Sequence, residues 1–289
     1  MKKNILVTGC NGQLGTEVKR LSVLYPQYNY FFTEHYNLDI TNEEAINYFV
    51  EHYNIKGIIN CAAYTAVDKA EDEFEKARAI NANAIAYLAK SMDECGGFLV
   101  HISTDYVFDG KACTPYSEDI PVHPLSVYGL TKEEGEQNAR FYCKNTVIIR
   151  TSWVYSTTGN NFVKTMLRLG KERPELGVVF DQIGTPTFAR DLAGAIFTIL
   201  EHGIVPGTYH YSNEGAISWY DFTKAIHKIA GITSCCVRPI RSAEYPVKAA
   251  RPSFSVLDKT LTKKTFAIRI PYWEDSLETC IHELKNNER

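Results

Sequence analysis

Residues 5–15 read ILVTGCNGQLG, in which a short apolar run is followed by three glycines with two residues between each and the next. Gly9, Gly12 and Gly15 follow a segment that is typical of a first β-strand and precede an amphipathic segment. Glycines at such a turn let the backbone bend tightly and approach a pyrophosphate, which the N-terminus of the following helix attracts. The stretch therefore predicts a strand–turn–helix unit that binds a dinucleotide.

The same alternation continues along the first half of the chain. Apolar runs predict β-strands at residues 4–7, 30–33, 57–63, 98–103 and 146–149. The segments between them predict helices at residues 14–24, 43–53 and 79–94, and a further helix that carries residues 128–132. Nearly continuous apolar strands that alternate with helices indicate a parallel sheet covered on both faces. We therefore predict an α/β fold built on a Rossmann-type doubly wound parallel sheet.

The second half of the chain is less regular and predicts a smaller C-terminal substrate-binding lobe. Helices are expected at residues 161–172, 190–202, 218–230 and 273–285, the third with Ser218 as N-cap and Gly231 as its stop. We predict an NAD(P)-binding Rossmann domain mainly in residues 1–155 and the substrate-binding lobe mainly in residues 156–289. Part of residues 176–215 is expected to pack back on the Rossmann sheet.

Composition excludes several classes of function. The 289 residues carry a net charge of −3 without a run of lysine and arginine, so neither a nucleic acid nor a membrane surface is expected as a partner. The first residues predict neither a secretory signal nor a membrane span. The eight cysteines include no Cys-x-x-Cys pair, and the eight histidines lack metal-binding spacing. We therefore predict a cytoplasmic protein with reduced thiols and no catalytic metal.

Residues that follow the second and third strands extend the predicted nucleotide site. Glu34 lies where an acidic residue commonly binds the adenosine ribose, although a solvated loop charge is the alternative. Because parallel strands end at one edge of the sheet, the loops there gather around the ligand. Glu34 would repel a 2′-phosphate and favours NADH, yet the choice between NADH and NADPH stays open. The predicted cofactor contacts are Gly9, Gly12, Gln13, Leu14, Gly15, Glu34, Asp39, Ile40, Ala62, Ala63 and Thr65.

Two further stretches, HISTDYVFDG at residues 101–110 and VYGLTK at residues 127–132, carry candidate catalytic groups. Tyr128 and Lys132 are four residues apart, so they project from one face of a helix. A lysine ammonium beside the phenol is expected to lower the tyrosine pKa, so that the pair exchanges a proton near neutral pH. Thr104 would polarise a substrate carbonyl at the same sheet edge. Taken alone, the Tyr128–Lys132 spacing is also compatible with a chance match, and Thr104 with a turn hydroxyl that bonds the backbone.

Together these motifs, in this order, resemble the extended short-chain dehydrogenase/reductase superfamily, and within it the dTDP-4-dehydrorhamnose reductase family. The resemblance covers nearly the whole chain and is weakest at residues 232–247. It is carried by INCAAYTAVDKAE (59–71), HISTDYVFDG (101–110), VYGLTKEEGE (127–136), IIRTSWVYSTTGNNFVKTML (148–167) and FDQIGTPT (180–187). It implies reduction of the 4-keto group of a dTDP-sugar, dTDP-4-dehydro-L-rhamnose, by hydride transfer from NADPH or NADH.

The resemblance also implies roles for individual side chains. Tyr128 would be the general acid, Lys132 would orient it and bind the nicotinamide ribose, and Thr104 would bond the sugar carbonyl. Tyr128 and Lys132 are thus both further predicted cofactor contacts. The other implied substrate contacts are Asp105, Trp153, Asn161, Phe162, Gln182 and Arg251. The plainer interpretations are core packing for the tryptophan, a turn residue for the glutamine and a surface charge for the arginine.

Three points are left open by the resemblance. A related dehydratase has Thr-Asp-Glu after the fourth strand, whereas Tyr106 follows Thr104 and Asp105 here, which favours reduction over a dehydratase or epimerase reaction. A non-catalytic regulatory subunit is the alternative from another class. Some family members hold a structural Mg²⁺ with glutamates at a dimer contact; Glu17 matches one such position, but Arg190 replaces another acid. A monomer and a homodimer are both compatible with this pattern.

Overall fold

A six-stranded parallel sheet forms the centre of the protein, in a computed structural model that describes residues 2–287. In spatial order its strands are Gly207–His210, β5 (Thr146–Thr151), β4 (Phe98–Thr104), β3 (Ile55–Asn60), β1 (Lys3–Thr8) and β2 (Tyr28–Thr33). Every neighbouring pair is parallel. The order reverses direction between β1 and β3, and in open α/β sheets the ligand crevice lies at such a point.

Helices cover both faces of this sheet because its strands are apolar on both sides. One face buries Val7, Val100 and Ile149, and the other buries Leu6, Leu99 and Ile148. The helices of this half are Gln13–Leu21, Glu43–His52, Phe74–Arg78, Ala84–Glu94 and Val127–Tyr142, with a short helix at Val67–Ala70. The doubly wound Rossmann-type fold is therefore confirmed.

Several boundaries differ from the sequence-based prediction. The helix predicted to reach residue 24 ends at Leu21 and continues as the 3₁₀ turn Ser22–Leu24. The helix predicted from residue 79 begins at Phe74, and a π-helical turn at Ala79–Asn83 interrupts it. β3 ends at Asn60, so the remainder of the strand predicted at residues 57–63 is the loop that packs against the glycine turn.

The second half of the chain contributes to two regions. A C-terminal core is formed by the helices Phe162–Glu172, Trp219–Ala230 and Trp273–Asn287 and by the parallel strand pair Glu175–Val179 and Cys236–Ile240. Helix Ala189–His202 instead packs against the helix after the glycine turn, and strand Gly207–His210 joins the central sheet. The division of the chain near residue 155 remains a prediction.

The ends of helix Trp219–Ala230 agree with the sequence signals. The Ser218 hydroxyl accepts from Asp221 N, and the Asp221 carboxylate accepts from Ser218 N in return. Gly231 stops the helix in the left-handed conformation, φ 75°. Short helices and turns complete the described chain, among them Thr260–Phe266. Among residues 2–287 no helix is both long and apolar enough to span a membrane.

Candidate active site

The glycine turn after β1 is packed tightly on its inner side and open on its outer side. Gly9 has φ 62°, and a Cβ there would lie 2.8 Å from the backbone of Ala62. Only glycine suits that combination of conformation and close approach. A Cβ on Gly12 would approach Gly9 O at 3.2 Å and no other described atom within 4 Å beyond its chain neighbours. Gly12 therefore leaves a recess at the helix N-terminus, as a bound pyrophosphate requires.

A cavity of about 510 Å³ adjoins this turn. Of the predicted cofactor contacts it is lined by Gly9, Gly12, Glu34, Asp39, Ile40, Ala62 and Ala63. The Glu34 carboxylate accepts from the backbone N–H of Asn11 within the turn. Asp39 accepts from the N–H and hydroxyl of Thr41, at 2.9 and 2.7 Å. The cavity is large enough for the adenosine half of a dinucleotide. Glu34 lies beside the glycine turn, as the sequence predicts.

Replacing Gly12 by valine is expected to raise the dissociation constant for NADPH by at least about 100-fold, because a branched side chain would occupy the pyrophosphate recess. The fold should survive, since Gly12 has φ −69°, which any residue adopts. Calorimetric titration with NADPH and a thermal melt measure the two effects.

Two other glycines provide controls for this substitution. Gly194→Ala should change neither property, because nothing lies within 4 Å of the added carbon. Gly15→Ala should lower the melting temperature, because its Cβ would lie 2.2 Å from Gly9 O. Unchanged NADPH affinity in Gly12→Val would show that the turn does not bind the pyrophosphate.

Tyr128 and Lys132 lie on one buried face of helix Val127–Tyr142, as their spacing predicts. The helix begins there because the Ser126 hydroxyl accepts from Gly129 N at 3.2 Å and acts as N-cap. Tyr128 is 9% exposed and Lys132 2% exposed. The Lys132 ammonium donates to Ile102 O on β4 at 2.6 Å. The lysine is thus fixed to the strand that also delivers Thr104.

The expectation that Lys132 lowers the Tyr128 pKa is wrong for this structure. Burial raises the Tyr128 pKa well above its ordinary value, although the neighbouring Thr104 hydroxyl opposes part of the rise. Burial also lowers the Lys132 pKa, to about 8, against the attraction of Glu136. Burial dominates because a phenolate removed from water loses its solvation, and the neighbouring Asp105 and Tyr106 raise the Tyr128 pKa further. Tyr128 is therefore protonated at neutral pH, which is the form that a general acid needs.

Thr104, whose hydroxyl lies near the Tyr128 phenol, is bonded to a buried carboxyl group. Its hydroxyl donates to Asp105 Oδ1 at 3.0 Å and accepts from Tyr106 N at 3.2 Å. Burial raises the Asp105 pKa to about 6, and the neighbouring hydroxyl groups of Ser255 and Thr104 oppose the rise. Asp105 Oδ2 has no hydrogen-bond partner among the described residues. The arrangement leaves a buried acceptor beside Thr104, so a substrate hydroxyl would find a partner there.

A second cavity, of about 760 Å³, lies on the other side of the loop after β3. Three of the predicted substrate contacts line it, namely Phe162, Gln182 and Arg251. Thr65, predicted to contact the cofactor, also lines this larger cavity and not the smaller one. Loop 61–65 therefore separates the two cavities, with the alanines on one side and Thr65 on the other.

Arg251 is held in this cavity by two side chains that the sequence analysis did not single out. It donates to Asp68 Oδ2 at 2.7 Å and to the Tyr106 hydroxyl at 3.2 Å. The Tyr106 ring in turn packs edge-on against Tyr128, with centroids 5.5 Å apart. Gln182 bonds Ser242 at 2.9 Å. Arg251 is thus partly buried near Tyr128 and paired with Asp68, and a guanidinium held in this way suits contact with a diphosphate.

Asn161 and Gln13 are bonded to each other across the two halves of the chain. Asn161 Nδ2 donates to Gln13 Oε1 at 3.0 Å, while Asn161 Oδ1 caps its own helix by accepting from Lys164 N at 3.1 Å. The structure therefore gives both side chains a bridging role. Their predicted contacts with substrate and cofactor remain predictions.

Trp153 lies beside the larger cavity and packs against a second tryptophan. Its ring stacks on Trp219, with centroids 3.5 Å apart, and Trp219 lines the cavity. The Trp153 backbone has φ 48°, an uncommon value for a residue other than glycine. Sequence spacing gave no signal for Trp219, because the contact joins segments that are far apart in the chain.

Trp153→Ala is expected to weaken binding of the sugar nucleotide about tenfold, because the stack that shapes the cavity wall is lost. NADPH affinity should stay unchanged, since the residue does not line the smaller cavity. Equilibrium titration with each ligand separates the two effects. Trp153→Phe, which keeps an aromatic ring, serves as the control. Global unfolding of the alanine variant would support the core-packing interpretation instead.

Glu17, which matches a metal-binding position of the resembled family, is engaged in an ion pair. Its buried carboxylate accepts from Arg190 Nε at 3.0 Å, and the same guanidinium pairs with Glu283. No group of three or more metal-ligating side chains was found among residues 2–287. The Arg190 guanidinium therefore occupies the position beside the Glu17 carboxylate that a metal cation would need.

Comparison with known proteins places this site in a family. The sequence profile described as RmlD substrate binding domain matches residues 1–286. A dTDP-4-dehydrorhamnose reductase from Aggregatibacter actinomycetemcomitans is 40% identical over 284 residues, which cover 95% of this chain and 97% of the relative. A crystal structure of such a reductase from Clostridium acetobutylicum superimposes with a TM-score of 0.94 at 41% identity, covering 98% and 99% of the two chains. One from Bacillus anthracis in complex with NADP has a TM-score of 0.93 at 40% identity, covering 98% and 100%.

Proposed function

The chain belongs to the RmlD substrate binding domain family, and from that membership and the site geometry we propose that it reduces the 4-keto group of dTDP-4-dehydro-L-rhamnose to give dTDP-L-rhamnose. The observation that carries the proposal is the buried cluster of Thr104, Tyr128 and Lys132 at the carboxyl end of β4. Tyr106, which packs against Tyr128, lines the larger of the two cavities. The smaller cavity suits a dinucleotide and the larger a sugar nucleotide.

NADPH or NADH, bound along the glycine turn, supplies the hydride. The protonated Tyr128 donates its phenolic proton to the sugar oxygen as negative charge develops there. The Thr104 hydroxyl lies within hydrogen-bonding reach of that phenol and holds the carbonyl oxygen in line with it. Lys132, fixed to Ile102 O, provides a positive charge behind the tyrosine. These roles of the three side chains are part of the proposal.

The residues around the larger cavity fit a sugar linked to a nucleoside diphosphate. Arg251, held by Asp68 and Tyr106, supplies a cation for the diphosphate. Phe162 and Trp219 supply apolar faces for the thymine and the deoxyribose. Asp105 Oδ2 is an unused acceptor for a sugar hydroxyl. The predicted cytoplasmic location, and a monomeric or homodimeric state, are retained in this proposal.

Oxidation of NADPH or NADH in the presence of dTDP-4-dehydro-L-rhamnose tests the proposal. We expect steady cofactor oxidation and a product with the mass and NMR spectrum of dTDP-L-rhamnose. UDP-glucose and dTDP-glucose serve as control substrates for epimerase and dehydratase activity. Conversion of either control, without net oxidation of the cofactor, would assign the chain to one of those reactions. Binding of both ligands without turnover would favour a regulatory subunit.

A further inference from the structure

A line of four polar side chains crosses the edge of the sheet beneath the active site. Thr8 on β1 bonds Asn60 on β3 at 2.5 Å, and Asn60 Nδ2 lies 3.0 Å from His101 Nδ1 on β4. His101 Nε2 in turn lies 3.5 Å from Lys132 Nζ. Thr8 also lines the smaller cavity. The line therefore joins the cofactor cavity to the catalytic lysine.

We infer that His101 is a positioning residue for Lys132: its imidazole, oriented by Asn60 and Thr8, holds the lysine nitrogen in place for the proposed reaction. The inference rests on the proposed function. It assigns a purpose to a histidine that is fully buried and whose ring has no place in the proton transfer itself.

Glu136 does not hold the Lys132 nitrogen by a hydrogen bond, although it is the nearest carboxylate on the same helix face. One of its oxygens accepts from Ser103 Oγ at 2.5 Å and Arg150 Nε at 2.9 Å. The other accepts from Arg150 Nη2 at 2.7 Å and Arg140 Nη1 at 3.1 Å. Both oxygens are thus fully used. Within the described part of the chain, Ile102 O and His101 Nε2 are the partners of Lys132 Nζ.

The chain behind His101 suits both protonation states of the lysine. In the orientation found here the Asn60 amide donates to His101 Nδ1, so the ring proton is on Nε2 and faces an uncharged amine. A half-turn of the amide presents its oxygen to Nδ1–H and leaves Nε2 free to accept from the ammonium. The Thr8 hydroxyl accepts or donates accordingly. The lysine nitrogen therefore keeps a partner while its charge changes.

The ring itself stays neutral in both arrangements. Burial lowers the His101 pKa well below its ordinary value, and the positive charges of Lys132 and Arg140 lower it further. A neutral imidazole always offers one donor and one acceptor, which is what the line of bonds requires. A side chain without these groups would leave the amine bonded to Ile102 O alone and Asn60 bonded to Thr8 alone.

Replacing His101 by phenylalanine and by glutamine tests the inference. Phenylalanine keeps the ring volume without a polar atom, whereas glutamine places an amide near the Nε2 position. We expect His101→Phe to lower kcat about 10- to 100-fold, the range for loss of a hydrogen bond to a charged group. Its dissociation constant for NADPH should also rise, and His101→Gln should restore most of both properties. If the phenylalanine variant does not fold, His101→Leu takes its place.

A double-mutant cycle with Lys132→Met separates positioning from a structural role. If His101 acts through Lys132, adding His101→Phe to the methionine variant should cause no further loss of turnover. Additive losses, equal losses in the phenylalanine and glutamine variants, or full activity of His101→Phe would each overturn the inference. Lack of turnover in the wild-type protein would count against the proposed function instead, and the NADPH affinities would then decide the His101 question.

Discussion

Replacing Tyr128 by phenylalanine is expected to lower turnover about 10²–10⁴-fold, the usual value of general acid catalysis. The substitution removes one oxygen and keeps the ring that packs against Tyr106, so the fold and the affinity for NADPH should change little. Thr104 remains to bond the carbonyl oxygen, but that oxygen lacks its proton donor. Single-turnover kinetics with the ketosugar nucleotide measures the effect on the chemical step.

Tyr106→Phe is the matched control for this experiment. It removes a phenol from the neighbouring ring, one that bonds Arg251 and not Thr104. It should therefore weaken substrate binding and leave the chemical step nearly unchanged. If Tyr128→Phe keeps more than about a tenth of the wild-type rate with chemistry rate-limiting, another residue is the acid.

Lys132→Met is expected to cost more than Tyr128→Phe, that is, at the upper end of or beyond the range of about 10²–10⁴-fold. The variant loses the charge behind the tyrosine and, if the predicted ribose contact exists, a cofactor contact as well. NADPH affinity should therefore fall together with kcat. The fold should survive, because Lys132 is only 2% exposed and burial disfavours its charged form, whereas methionine fills the same space without a charge.

Lys132→Arg controls for the loss of charge. It keeps a cation but replaces a compact ammonium by a planar group that does not fit the contacts with Ile102 and His101. Partial recovery of NADPH affinity with little recovery of kcat is the expected result. An arginine variant with full turnover would show that only the charge matters. A methionine variant with unchanged NADPH affinity would contradict the ribose contact.

The glycine turn and the apolar strands made most of the Rossmann half predictable from sequence. Both signals are local: three glycines form the turn, and strands β1, β3, β4 and β5 are short apolar runs that are buried along most of their length. The helix that carries Tyr128 was predictable for the same reason, because its spacing and its cap lie within a few residues. The order of motifs then pointed to the family to which the chain belongs.

Contacts between distant segments were not predictable in this way. Arg251 is held by Asp68, which precedes it by 183 residues, and Trp219 meets Trp153 only in the folded chain. The direction of the shift in the Tyr128 pKa was predicted wrongly, because the sequence spacing indicates a charged neighbour but not how deeply the phenol is buried. The bond between Asn161 and Gln13 likewise joins segments that are 148 residues apart, while the predicted substrate contact of Asn161 stays a prediction.

Transfer of deuterium from the cofactor to the sugar tests the central claim most directly. NADPH that is dideuterated at nicotinamide C4 is incubated with the protein and dTDP-4-dehydro-L-rhamnose, and the product is examined by NMR and mass spectrometry. The account predicts dTDP-L-rhamnose that carries a deuterium at sugar C4. The Tyr128→Phe variant should form the same deuterated product more slowly. A product without deuterium, or with deuterium at another carbon, would contradict reduction of the 4-keto group at this site.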